Sequence, residues 1–317
     1  MTDCTFIIPD TNTFQSGGNL YNARLIEALK VLGYSVDSYE LDAISQVNES
    51  KCYLVDSLHL TDIHLLNHLE NKYLIVHHLE SLFPSKGEDG RALFEQNERP
   101  LLEQFDGFLV TSTFTKHYLE AKGIDQAIHC ILPGLDYSFA SGAKRFDQVH
   151  AIMVANLIER KGILPFLEAL QNKSNREWKL SLVGNIEMEQ TYAHKCLNLI
   201  NELEGVEYLG ELPQKEVFEL YEKANLFLST AYMETYGMAI QEAKQAGLPL
   251  LLLNGGNACN HLDKDTTGWC CESIDNLVDQ FFTFVKQPSL LDNQSHVPST
   301  YVWKDAALLF TNAFFKN

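Results

Sequence analysis

The sequence predicts an α/β protein made of two doubly wound parallel-sheet, Rossmann-like domains. Two observations predict it. Short apolar runs alternate with amphipathic segments along the whole chain, the pattern of parallel strands flanked by helices. A polar stretch near the middle then separates two such series, and 317 residues suffice for two separate cores.

In the first series the strands fall at 5–8, 52–55, 73–76, 107–110 and 128–132. Helical patterns lie between them at 19–32, 89–104 and 115–122, the first carrying Leu25, Ile26, Leu29 and Leu32 on one face. Pro133-Gly134-Leu-Asp136 and the polar run 141–148 read as an interdomain linker. The second series places strands at 150–155, 179–183, 206–209, 226–229, 250–253 and 269–271. Its helices are expected at 163–170, 187–203, 214–224 and 238–246, and a last helix, about 299–315, is expected to pack away from the second sheet. The domains are thus 1–147, 148–297 and a C-terminal segment 298–317 placed to cross back to the first domain. In folds of this kind ligands bind at the strand C-terminal ends.

Composition narrows the partners. Lys and Arg number 24 against 42 Asp and Glu, a net charge of −18, which argues against nucleic acid and broad anionic membrane surfaces. No apolar run reaches the length of a membrane span, and a cytoplasmic protein, at most peripheral to a membrane, is expected. The seven cysteines form no Cys-x-x-Cys pair and are odd in number, so mostly buried free thiols are expected, with Cys270-Cys271 part of a strand. The eighteen glycines never occur as Gly-x-Gly, and Gly-Lys-Ser/Thr is missing, which disfavours simple dinucleotide enzymes and P-loop ATPases.

One stretch carries the chemistry. After the strand 226–229 comes Glu234-Thr-Tyr-Gly-Met-Ala-Ile-Gln-Glu242, in which a glycine opens a helix. A strand, a tight glycine loop and a helix N-terminus form an anion site, through backbone N–H groups and the helix dipole. Glu234 and Glu242 on either side suit hydrogen bonds from sugar and ribose hydroxyls, so the segment reads as built for a nucleoside diphosphate sugar.

These residues resemble the Glu-x7-Glu motif of the retaining GT-B glycosyltransferases of the family-4 type, followed as in that family by Ala-x-x-x-Gly-x-Pro at 243–249. Met153-Val-Ala-Asn-Leu-Ile-Glu-Arg-Lys-Gly162 is similar to its Val-Gly-Arg-Leu-x-x-x-Lys-Gly segment, and Gly184, Leu209-Gly-Glu-Leu212 and Tyr221-Glu-Lys-Ala-Asn225 fall where its pattern expects them. The match is good over about 150–270 and looser before it. The resemblance implies two domains facing a cleft and transfer of a sugar from a nucleoside diphosphate donor, of UDP or GDP type, with no cofactor or metal. The acceptor is left open among saccharide, small molecule, protein and lipid.

Carried over by position, Glu242 would bind the ribose and Glu234 the donor sugar's hydroxyls, while the backbone of Tyr236, Gly237 and Met238 would meet the diphosphate. Lys161 would neutralise the phosphates. The family's arginine before Leu157 is Asn156 here, with Arg160 beside Lys161 as a substitute cation. That departure keeps a noncatalytic nucleotide-sugar-binding or scaffold subunit as the competing reading; an inverting transferase or an epimerase is disfavoured by the Glu-x7-Glu spacing. In the first half, Gly17-Gly18 before a helix resembles the family's N-terminal loop that approaches the donor phosphate, against the plainer reading of a loop pair. His77-His78 at a strand end resembles the histidine beside the transferred sugar, with His77 favoured because alternation sends the two side chains apart; a structural histidine is the competing reading. Ser112 and Gly134-Leu-Asp136 also resemble family segments and read as shaping the cleft, whereas His64 and His68, at i, i+4, read as a surface or packed pair rather than a metal site.

Overall fold

The structure, a computed structural model, describes residues 2–10, 16–84, 87–135, 137, 139, 148–171, 178–263, 268–291 and 301–315. It divides into two compact units, Met1–Asp136 with Tyr301–Asn317, and Tyr137–Thr300. Most of the expected linker, 141–147, lies outside the described residues.

The first unit runs β1 (Cys4–Ile7), α1 (Gly17–Val31), β2 (Val36–Tyr39), β3 (Tyr53–Asp56), β4 (Lys72–Val76), α2 (Gly90–Leu93), α3 (Arg99–Leu102), β5 (Gly107–Val110), α4 (Thr113–Ala121) and β6 (Ala127–Cys130). Its sheet is parallel throughout, in the order β2-β1-β3-β4-β5-β6. Every residue of β1, β3 and β5 is buried, as expected of parallel strands covered on both faces. The strand β2 was not expected: only Val36 in Val-Asp-Ser-Tyr is fully buried, because the strand lies at the sheet edge.

The segment expected as one helix over 89–104 is broken. A five-residue π-helical turn, Phe94–Glu98, separates α2 from α3. Pro100 sits in the first turn of α3 and has no N–H to continue the ladder, so the pattern changes there. Gly17 and Gly18 form the opening of α1 rather than a loop before it, and Ser16 caps the helix by accepting from Asn19 N–H at 3.1 Å.

The second unit contains β7 (Val149–Val154), α5 (Ile163–Leu170), β8 (Trp178–Val183), α6 (Gln190–Glu202), β9 (Val206–Tyr208), α7 (Gln214–Lys223), β10 (Leu226–Ser229), α8 (Met238–Gln245), β11 (Leu250–Leu253), β12 (Gly268–Cys271) and α9 (Ile274–Lys286). The sheet order is β12-β11-β10-β7-β8-β9, again all parallel. The chain builds outward from β7 to β9, then returns to β10 on the other side of β7, so the topological switch point lies between β7 and β10. Trp178, Phe166, Phe281 and Phe284 anchor the core, the last two from α9, which the sequence reading did not name.

The final helix, α10 (Trp303–Phe314), packs on α1 in the first unit. Phe310 stacks on Phe6 of β1 at 6.1 Å between ring centroids, and Trp303 meets Tyr21 edge-on at 5.5 Å. The cysteine expectation needs correction: Cys259 and Cys270 are joined by a disulfide, and the other five are free. No spacing signal marked the pair, because the fold brings a loop after β11 beside the edge strand β12.

Candidate active site

The switch point of the second sheet gathers most of the residues singled out in that half. A short 3₁₀ turn, Glu159–Lys161, follows β7, and an irregular segment, 230–237, follows β10. Three hydrogen bonds join them: Thr230 Oγ1 donates to the Lys161 carbonyl at 2.7 Å, Tyr232 N–H to the Arg160 carbonyl at 2.9 Å, and Arg160 Nη1 to the Met233 carbonyl at 3.0 Å. Gly162 lets them close up. It is left-handed, with φ of 62°, and a Cβ there would overlap the Thr230 carbonyl oxygen.

Inside this junction Lys161 Nζ donates to Glu234 Oε1 at 2.6 Å, and both side chains are largely buried. Burial pushes the Lys161 ammonium below the ordinary lysine range, opposed by Glu234. The Glu234 backbone is held from the loop after β11, its N–H donating to the Gly255 carbonyl at 3.2 Å and its carbonyl accepting from Asn257 N–H at 2.7 Å.

Gly237, with φ of 92°, occupies the N-cap of α8, and no side chain caps that helix. Its preceding carbonyl, on the buried Tyr236, is clamped by Asn257 Nδ2 at 2.8 Å and His261 Nε2 at 2.6 Å. The Tyr236 carbonyl and the Gly237 N–H belong to one planar trans peptide and point opposite ways, so holding that carbonyl back turns the Gly237 N–H the other way, at a helix start, where backbone N–H groups are receptive to anions. Asn257 and His261 were missed by sequence reasoning, since neither belongs to a motif; both lie on the loop after β11, at a strand C-terminal end.

Glu242 lies one turn further along α8 and is buried. Gln214 Nε2 donates to its Oε1 at 3.0 Å, and the Tyr221 hydroxyl to its Oε2 at 3.3 Å, both from α7. The carboxylate in turn raises the Tyr221 hydroxyl well above the ordinary tyrosine range, after burial as the larger cause. Asn156 lies two residues past the end of β7. It joins the exits of β7 and β8, its Oδ1 accepting from Asn185 N–H at 3.1 Å and its Nδ2 lying 3.2 Å from Met188 Sδ. Gly184, at the end of β8, donates its N–H to the Gly210 carbonyl at 3.0 Å and accepts from the Tyr208 hydroxyl at 2.6 Å.

In the first unit, His77 leaves β4 and packs on Gly18 of α1; a Cβ on Gly18 would lie 3.0 Å from the imidazole. Ser112 caps α4 by accepting from Thr115 N–H at 3.1 Å, and Leu135 N–H donates to the Tyr301 carbonyl at 3.3 Å. Asp136 lies outside the described residues. His64 lies in the last turn of the 3₁₀ segment Ser57–Leu66 and His68 follows that segment, both exposed. Among the described residues no group of three or more His, Cys, Asp or Glu is placed to hold a metal ion, and no helix is long and apolar enough to cross a membrane.

Two all-parallel doubly wound units, one of them with a largely buried cation–carboxylate pair and a helix start without a side-chain cap at its switch point, define a doubly wound α/β protein. The chain belongs to the family of glycosyl transferases group 1, which matches residues 138–296. No curated protein sequence matches it. Among solved structures, the sucrose-phosphate synthase of Thermosynechococcus elongatus superposes with a TM-score of 0.76 over 99% of this chain and 95% of that one, at 16% identity. WaaG, a glycosyltransferase involved in lipopolysaccharide biosynthesis, gives 0.73 over 99% and 100% at 14% identity. Anabaena HepE, solved in complex with UDP and glucose, gives 0.67 over 99% and 96% at 13% identity. At such identities the likeness establishes the fold, that of two-domain GT-B glycosyltransferases, and the family identifies an enzyme that transfers sugars.

Proposed function

We propose that the protein transfers a sugar from a nucleoside diphosphate donor, of UDP or GDP type, to a hydroxyl-bearing acceptor with retention at the anomeric carbon. The observation that carries this reading is the buried Lys161–Glu234 pair beside the uncapped start of α8. An ammonium has three donors, so Lys161 can meet phosphate oxygens while one remains on Glu234. Glu234 accepts from sugar hydroxyls, Glu242 from the ribose, and Arg160 adds positive charge. The bond from the anomeric carbon to the diphosphate oxygen breaks as the acceptor oxygen bonds to that carbon on the same face. The acceptor's proton passes to the departing diphosphate, whose growing charge Lys161 and the α8 terminus stabilise. No resident cofactor or metal forms part of this scheme.

Nucleotide release from a panel of UDP-, GDP- and ADP-sugars tests it. Turnover with one donor, lost in Lys161→Ala and Glu242→Ala, is expected; release that persists in both variants overturns the site assignment. The second reading, a nucleotide-sugar-binding subunit without turnover, is favoured by one observation: Asn156 brings no charge and is engaged with Asn185. Saturable donor binding with no release on any acceptor would establish it.

A further inference from the structure

The groups around His77 constrain one another. His77 Nε2 lies 2.9 Å from Asn22 Oδ1, and Asn22 Nδ2 donates to Asp56 Oδ2 at 2.8 Å. The other carboxylate oxygen, Asp56 Oδ1, accepts from Leu58 N–H at 2.9 Å at the start of a 3₁₀ turn. Asp56 and Asn22 are both fully buried. A carboxylate only accepts, so Asn22 must turn its NH₂ to Asp56 and its oxygen to His77. A carbonyl oxygen also only accepts, so the hydrogen between them belongs to His77 Nε2. Burial holds the imidazole below the usual histidine range, outweighing Asp56, whose Oδ2 is 3.7 Å away, so the ring is neutral near pH 7. Its other nitrogen, Nδ1, then carries a lone pair, and it has no hydrogen-bond partner among the described residues. The ring itself is fixed by Gly18 on one side and by Tyr21, edge-on at 5.5 Å; Ser57 Oγ accepts from the N–H groups of His77 and His78 at 3.1 and 3.2 Å.

We propose that Asp56 and Asn22 are positioning residues that lock His77 as its Nε2–H tautomer, so that Nδ1 serves as hydrogen-bond acceptor for a hydroxyl of the sugar substrate. The ligand half of this rests on the sugar-transfer reading; the tautomer half does not.

Two-bond proton–nitrogen correlation spectra of ¹⁵N-histidine-labelled protein at pH 7.5 read the tautomer directly, with His77→Gln identifying the signal. The wild type shows Nε2–H. Asp56→Asn, nearly isosteric, reverses it: Leu58 N–H keeps the oxygen, so the new NH₂ faces Asn22, whose amide turns over and presents NH₂ to Nε2. The His77 proton then moves to Nδ1. Asn22→Leu, which removes the relay, yields a mixture. An Nδ1–H wild type, or an Asp56→Asn spectrum identical to wild type, overturns the lock. In nucleotide release, Asp56→Asn lowers kcat/KM about tenfold, the loss of one useful hydrogen bond, with an unchanged Tm. A reversed tautomer with undiminished kcat/KM overturns the acceptor role of Nδ1. A wild type that releases nucleotide from no donor overturns the sugar-transfer reading, while the spectra still decide the tautomer.

Discussion

Lys161 Nζ and Glu234 Oε1 lie 2.6 Å apart across 73 residues of sequence, joining the turn after β7 to the segment after β10. A diphosphate that draws on this ammonium competes with a carboxylate already in contact with it. On the proposed reading the pair would set how much charge Lys161 lends to a leaving group; as it stands, it ties the turn after β7 to the segment after β10.

Removing one partner leaves the other charge buried. Glu234→Ala is expected to cost about 3–5 kcal/mol of stability in the second unit, and the paired Lys161→Met, Glu234→Met variant much less. Chemical denaturation in a double-mutant cycle measures the coupling. Lys161→Ala should also slow nucleotide release on the order of 100-fold. Additive stability losses would show that the two side chains do not interact.

Glu242 is held by Gln214 and Tyr221, which suits an anchor fixed before the ligand arrives. Glu242→Gln should weaken binding of the preferred nucleoside diphosphate about tenfold or more, the value of a hydrogen bond to a charged acceptor. Calorimetric titration measures it, and unchanged affinity would remove Glu242 from the ligand site.

Acid should destabilise the protein through its histidines. Burial holds His59, His77, His129, His150 and His261 below the ordinary histidine value of about 6.5. The unfolded chain therefore takes up protons first as pH falls. The stability these rings contribute is complete above pH 6.5 and is lost as pH drops toward their folded values, at most about 1.4 kcal/mol per pH unit for each. Urea midpoints at pH 7.5, 6.5 and 5.5 should decline, and less steeply in His261→Gln. A flat profile would contradict the burial of these rings.

The disulfide predicts a thiol count. Alkylation of the unfolded chain should label five cysteines without prior reduction and seven after it, as read by mass. Cys259→Ser should lower stability by about 2–4 kcal/mol. It also frees one end of the loop that bears Asn257 and His261, so binding at the α8 terminus should weaken with it. Seven labelled cysteines in the unreduced chain would rule out the bond.

Strands with fully buried apolar runs were legible because burial on both faces leaves one composition to read, as at Leu250–Leu253. The edge strand Val36–Tyr39 was not, since Asp37 and Ser38 carry no such signal. The helix Ile274–Lys286 was legible but unread: Leu277, Val278, Phe281, Phe284 and Val285 keep helical spacing behind the N-cap Ser273. Motif spacing marked Lys161, Glu234 and Glu242, yet their partners were out of reach. Glu242 meets Tyr221 and Gln214, and His77 meets Asn22 and Asp56, only because strands and helices distant in sequence end side by side.

The return of α10 to the first sheet sets an order of events during synthesis. Phe310 completes the packing around Phe6, and Trp303 the packing around Tyr21, so the unit that is begun first lacks a core element until the nested unit has been made. The second unit can fold while the earlier residues still wait for α10, and they remain exposed to chaperones and proteases over that interval.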